Sequence, residues 1–96
     1  MSVARVVLGT VELHLPDIHS LKGKRQVLKS LKDKLRNRFE VAVAEVDHHD
    51  VWQRATLAVA YVSHDGRHAN AVVAKAVDFI EANVDGHVLD TSVEAL

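Results

Sequence analysis

The chain has 96 residues, 48% of them apolar, with twelve Lys and Arg against thirteen Asp and Glu and a formal net charge of −1. That length holds one small domain with a thin core, and the core must be aliphatic, because valine supplies 17 residues and only four aromatics are present. The absence of cysteine excludes disulfide frameworks, zinc fingers, iron–sulfur sites and thiol catalysis, and fits a reducing, cytoplasmic setting. No apolar run approaches the roughly 18–20 residues of a membrane span. Residues 1–8 lack the basic start, apolar stretch and cleavage site of a signal peptide, so none is expected.

Residues 3–15 alternate as a strand, with Val7, Val11, Leu13 and Leu15 on one face. Val6, Leu8, Thr10, Glu12 and His14 take the other face, and Pro16-Asp17 ends the run. Ser20 is placed to cap a helix over 21–38, whose apolar stripe is Leu21, Leu28, Leu31, Leu35 and Phe39. Residues 41–47 and 54–63 are two further strands, and HHDVWQ between them suits a hairpin loop. Asp65 or Ser63 can cap a second helix over 67–83 with Ala69, Val72, Val73, Ala76, Val77 and Ile80 inward. A last strand covers 87–93.

The order β-α-β-β-α-β most simply gives an α+β, ferredoxin-like domain over residues 1–96: a four-stranded antiparallel sheet with two helices on one face. Its other face is then open and carries Val6 and Leu8, which invites a dimer or partner contact. Several uses of this frame are excluded by composition. RNA-recognition modules stack bases on aromatics of the two central strands, where this chain offers only Tyr61. Metal chaperones of this shape need paired cysteines. Acylphosphatase-like chemistry wants a glycine-rich loop after the first strand, and residues 16–20 hold no glycine.

Charge is unevenly placed. Residues 22–38 hold eight cations and one acid, a net +7, while the remaining four cations face twelve acids, a net −8. Arg25, Lys29, Lys32 and Arg36 align along one helix flank with Lys22 nearby. Lys22, Lys24 and Arg25 crowd the helix N-terminus, where the macrodipole already disfavours cations by roughly 0.3–1 kcal/mol each. An anion would complete that arrangement, held by the Ser20 hydroxyl, the first-turn amides and three cationic side chains. Protonating all seven histidines would move the charge from −1 to +6, so polyanion binding is expected to tighten below about pH 6.5.

A second cluster lies at Asp47-His48-His49-Asp50. If the strand continues straight, Glu45, Asp47 and His49 share one face and are the nearest approach to a divalent-ion set. The spacing matches no established metal motif, so a polar hairpin tip with Trp52 packed over the sheet edge is expected, and no metal or other cofactor. Asp17, His19 and Ser20 lie too close in sequence for nucleophile–base geometry. Glu12 and His14 read as a solvated pair.

The run Leu15-Pro16-Asp17-Ile18-His19-Ser20-Leu21-Lys22-Gly23-Lys24-Arg25, continued by Leu35-Arg36-Asn37-Arg38-Phe39 and by 44–55 (AEVDHHDVWQRA), resembles the YlxP-like family of small bacterial proteins. The resemblance covers nearly the whole chain and implies a ferredoxin-like fold. Gene neighbourhoods in that family, beside transcription termination, translation initiation and ribosome maturation factors, imply a role near RNA or the ribosome. It supplies no catalytic residues; what carries over is Ser20, Lys22, Lys24 and Arg25, then Glu45, Asp47, Trp52 and Arg54. The chain departs at Glu40-Val41-Ala42, where relatives often have Asn, a branched residue and Ser.

The expectation is a non-enzymatic cytoplasmic module that binds RNA or a ribonucleoprotein surface. Ser20, Lys22, Lys24 and Arg25 would hold one phosphate, and Lys29, Lys32 and Arg36 would track its neighbours. Trp52 and Arg54 are possible contacts. The alternative is a dimeric protein-interaction or small-ligand module using the open sheet face.

Overall fold

The computed structural model describes residues 3–96; the first two of residues 1–8, read above for a leader, lie outside that range. The elements run β1 (Arg5–His14), α1 (Leu21–Phe39), β2 (Ala42–Asp47), β3 (Arg54–Ser63), α2 (Gly66–Asn83) and β4 (His87–Ala95). The sheet order is β2-β3-β1-β4 with every pairing antiparallel, and this is the ferredoxin-like arrangement. Every element stands where the sequence patterning puts it, with shifts of two residues or fewer at the ends.

The alternation in β1 does what its side chains dictate. Val7, Val11 and Leu13 are buried beneath the helices, while Val6, Leu8, Thr10, Glu12 and His14 face away from them. Leu28, Leu31 and Leu35 of α1, with Ala69, Val73, Ala76 and Ile80 of α2, close the core from above. Gly9 makes α2 fit: a Cβ there would lie 2.8 Å from Val73 and 3.1 Å from Val77. At the far end of the helices Phe39 meets Phe79 edge-on at 5.6 Å, and the Arg38 guanidinium lies over both rings.

Both helix caps are satisfied. The Ser20 hydroxyl accepts from the Gly23 N–H at 2.9 Å, and the Asp65 carboxylate accepts from Arg67 and His68. Glu40 ends α1 in the left-handed conformation, φ 55°, and turns the chain sharply into β2. As a result β2 runs back along α1, and its far end returns to the first turn of that helix.

Two bulges adjust the register. One lies between Glu45 and Asp47 of β2, opposite Leu57 and Thr56. The other sets β4 against Glu12 and Leu13. The first decides a functional question. It places Glu45 opposite the buried Leu57, on the helix side, and Asp47 opposite Thr56, on the open side. Glu45, Asp47 and His49 therefore do not share a face, because the inserted residue breaks the two-residue period on which that set depends.

Candidate functional site

The basic flank of α1 lies along the free edge of β2. Arg36 fixes this orientation: its guanidinium donates to the Val43 carbonyl at 3.1 Å. Arg25, Lys29 and Lys32 share that flank by helical spacing, and Lys22 is exposed in the first turn. The segment's one acid, Asp33, takes Lys29 at 3.0 Å and Arg36 at 3.7 Å. The Lys29 hydrogen bond and charge hold the Asp33 carboxyl below its usual range against an opposing cost of desolvation, with lesser help from the charges of Arg36 and Lys32. Among the described residues, Lys22, Arg25 and Lys32 have no carboxylate within ion-pair distance.

Lys24 corrects the expected phosphate cradle. It does not join Lys22 and Arg25 outside; it is 1% exposed and runs inward. Its Nζ donates to the carbonyls of His48 and Val51, each at 2.7 Å, and of His49 and Arg54, each at 3.2 Å. Glu45 Oε2 lies 2.9 Å from the same nitrogen. An ammonium has three protons to give, and here the carbonyls take them. The carboxylate oxygen is close but outside hydrogen-bond geometry, so its share is coulombic. The cause lies in the stripe: position 24 falls between Leu21 and Leu28 on the buried face, so any side chain there must point at the end of β2. The first-turn site that remains is Lys22 and Arg25 beside a Ser20 hydroxyl already engaged as a cap.

Lys24 thereby shapes the β2–β3 loop, residues 48–53. Four carbonyls converge on one point because His48 takes a left-handed conformation, φ 63°. From the other side the Gln53 amide donates to the carbonyls of Pro16 and, at the longer 3.4 Å, Ile18. Trp52 stands on this doubly tied loop with 51% of its surface exposed, so it is not the packed lid the sequence suggested. His49 turns its ring to the Glu45 carbonyl, 3.0 Å away, and Asp47 accepts from the His48 N–H. Among the described residues no group of three or more His, Asp or Glu is arranged to hold a metal ion.

Arg54 lies on the open sheet face at the same end. It approaches Glu12 at 3.9 Å, and His48 approaches the same carboxylate at 3.7 Å. Glu12 is therefore tied to the loop and is not simply solvated. His14 stacks on His87 at 6.0 Å. Toward the other end the face becomes apolar: Leu8, Ala42, Ala44, Ala58 and Ala60 line a shallow trough of about 180 Å³, and Val62 stands 62% exposed near it.

Among the described residues no helix is long and apolar enough to cross a membrane. The comparisons with known proteins agree with the fold and with the motif resemblance. A de novo designed protein, Ferredog-Diesel, superposes with a TM-score of 0.50 at 11% identity, covering 93% of this chain and 83% of that one. At that identity the likeness concerns the fold alone. The uncharacterized protein YlxP of Bacillus subtilis (strain 168) is 33% identical over 66 residues, 69% of this chain and 72% of that protein. A family model described as protein of unknown function (DUF503) matches residues 6–93, and with that span nearly the whole fold, including α1 and the Lys24-bound loop, is covered: the chain belongs to the DUF503 family.

Proposed function

We propose that this protein is a non-enzymatic module that binds the phosphate backbone of an RNA or a ribonucleoprotein surface along α1. The observation that carries the reading is the contrast within three consecutive basic positions. Lys24 is withdrawn into a structural role, while Lys22 and Arg25 are exposed, Lys32 is half-buried, and all three lack a carboxylate partner among the described residues. Lys29 and Arg36 extend the stripe, and Asp33 alone tempers it. Free-standing cations in a first turn oppose the helix dipole. A polyanion reverses that cost and releases its counterions on binding. Such contacts position a backbone and do not select a sequence. The test is RNA affinity across a salt series for wild type and for Lys22→Glu/Arg25→Glu/Lys32→Glu. The reading expects a steep salt dependence that the triple variant loses.

A second reading rests on the open sheet face. Four strands of six to ten residues, about 4.8 Å apart, present on the order of 550 Å², about two-thirds of the ~800 Å² per partner of a standard interface. In a two-fold pairing, Leu8 of each copy would enter the alanine-lined trough of the other, which is the self-complementarity such symmetry requires. This homodimer is compatible with the first reading, since α1 lies on the opposite side of the sheet.

A further inference from the structure

We infer that Trp52 is a stacking platform for an unpaired nucleobase of the RNA whose phosphates lie on α1, and that Lys24 is the positioning residue that holds it there. The inference rests on the α1 reading and deepens it, from a polyanion to a single-stranded one.

An exposed tryptophan on a loose loop would need no ligand to explain it. This loop is not loose. A buried ammonium gathers the carbonyls of His48, His49, Val51 and Arg54, Glu45 balances its charge at 2.9 Å, and Gln53 clamps the loop to Pro16. His48 is held in a left-handed conformation that a residue with a side chain seldom adopts. Desolvating a lysine is costly, and the product here is a fixed backbone with half of a large aromatic left in water. A rigid aromatic loses little freedom when it binds, which is what a stacking surface requires.

Position supplies the ligand class. The sharp turn at Glu40 brings the end of β2 back to the first turn of α1, so the Lys24 side chain bridges the two. Trp52 is one residue from the Val51 carbonyl that receives Lys24. Lys22 and Arg25 bracket Lys24 in sequence and lie on one exposed flank of the same helix. An exposed aromatic on a loop tied to the start of a helix that carries free cations is a pattern that accepts single-stranded nucleic acid: the cations follow the backbone and the ring takes a base. Duplex RNA keeps its bases stacked and offers backbone and groove edges but no free base face.

The chain has one tryptophan, so its fluorescence reports this site directly. Titration with a single-stranded oligoribonucleotide should quench Trp52, and a duplex of the same sequence should bind without quenching. Trp52→Ala should weaken single-strand affinity by about 5- to 150-fold, as loss of one stacked base does, and leave duplex affinity unchanged. Trp52→Phe should restore most of the loss. Lys24→Met, if folded, should keep the salt slope and lose the quenching; if it does not fold, the Trp52 variants decide. Salt-dependent RNA binding with Trp52 fluorescence and Trp52→Ala affinity unchanged would overturn the inference and leave the α1 reading standing. Equal quenching by duplex would also overturn it. No binding to either form would remove both readings together.

Discussion

Lys22 and Lys24 are the same residue type two positions apart, and the structure gives them opposite fates. Lys24 has its ammonium among four carbonyls and a carboxylate. Removing one partner of a buried charge strands the others, at about 3–5 kcal/mol. Lys24→Met should therefore lower the melting temperature by roughly 12 °C or more for a domain of this size, whereas Lys22→Met should change stability by no more than about 0.5 kcal/mol. Thermal denaturation of the two variants side by side checks this; equal effects would mean Lys24 does not hold the loop. Asp33 gives a pH-dependent counterpart. Its folded pKa lies below the unfolded value, so its contribution is fully present above the ordinary carboxyl range and is lost as pH falls through the lower folded value. Asp33→Asn should flatten that acid limb of the stability profile. It should also tighten polyanion binding several-fold at neutral pH, because Lys29 and Arg36 are released and one repelling charge is gone.

At the scale of elements, α1 trades stability for surface charge. It has no acid in its first turn, where Glu would be favoured by roughly 0.3–1 kcal/mol. Lys22→Glu should thus raise the melting temperature slightly while weakening RNA binding, and a variant that loses both would indicate a merely structural lysine. The apolar periodicity made this helix legible in the sequence, and Ser20 marked its start. What the pattern hid is that Lys24 occupies a stripe position between Leu21 and Leu28. Lysine normally marks the outside of a helix, and only the carbonyl cluster across from it, assembled by a loop conformation at His48, makes the inside tolerable. The metal-like set at Glu45, Asp47 and His49 failed for a related reason. Period-two reasoning assumes an unbroken strand, and a bulge is decided by pairing with β3, which lies outside the segment itself.

For the molecule as a whole, a net charge of −1 conceals +7 on one segment and −8 on the rest, and the fold separates the two only in part, because Glu45 and Asp47 lie on β2 and Asp50 on the loop after it. The basic flank runs beside β2, while Glu12, Asp90 and Glu94 lie on β1 and β4, with Glu12 and Asp90 paired in register. The βαββαβ order was legible because each element carries its own period and cap. The use of the open face was not, since it depends on what covers Val62 and the alanine-lined trough. Sedimentation equilibrium should show a dimer that Leu8→Glu dissociates without loss of helix content; a wild-type monomer at all concentrations would contradict the dimer reading. The α1 reading is tested most directly by the salt dependence of single-stranded RNA binding. Five phosphate contacts predict a slope of log affinity on log salt near −3.5, at about 0.7 per contact, and Lys22→Glu/Arg25→Glu/Lys32→Glu should abolish binding with the fold intact. A triple variant that binds as tightly as wild type, with the same slope, would contradict the account.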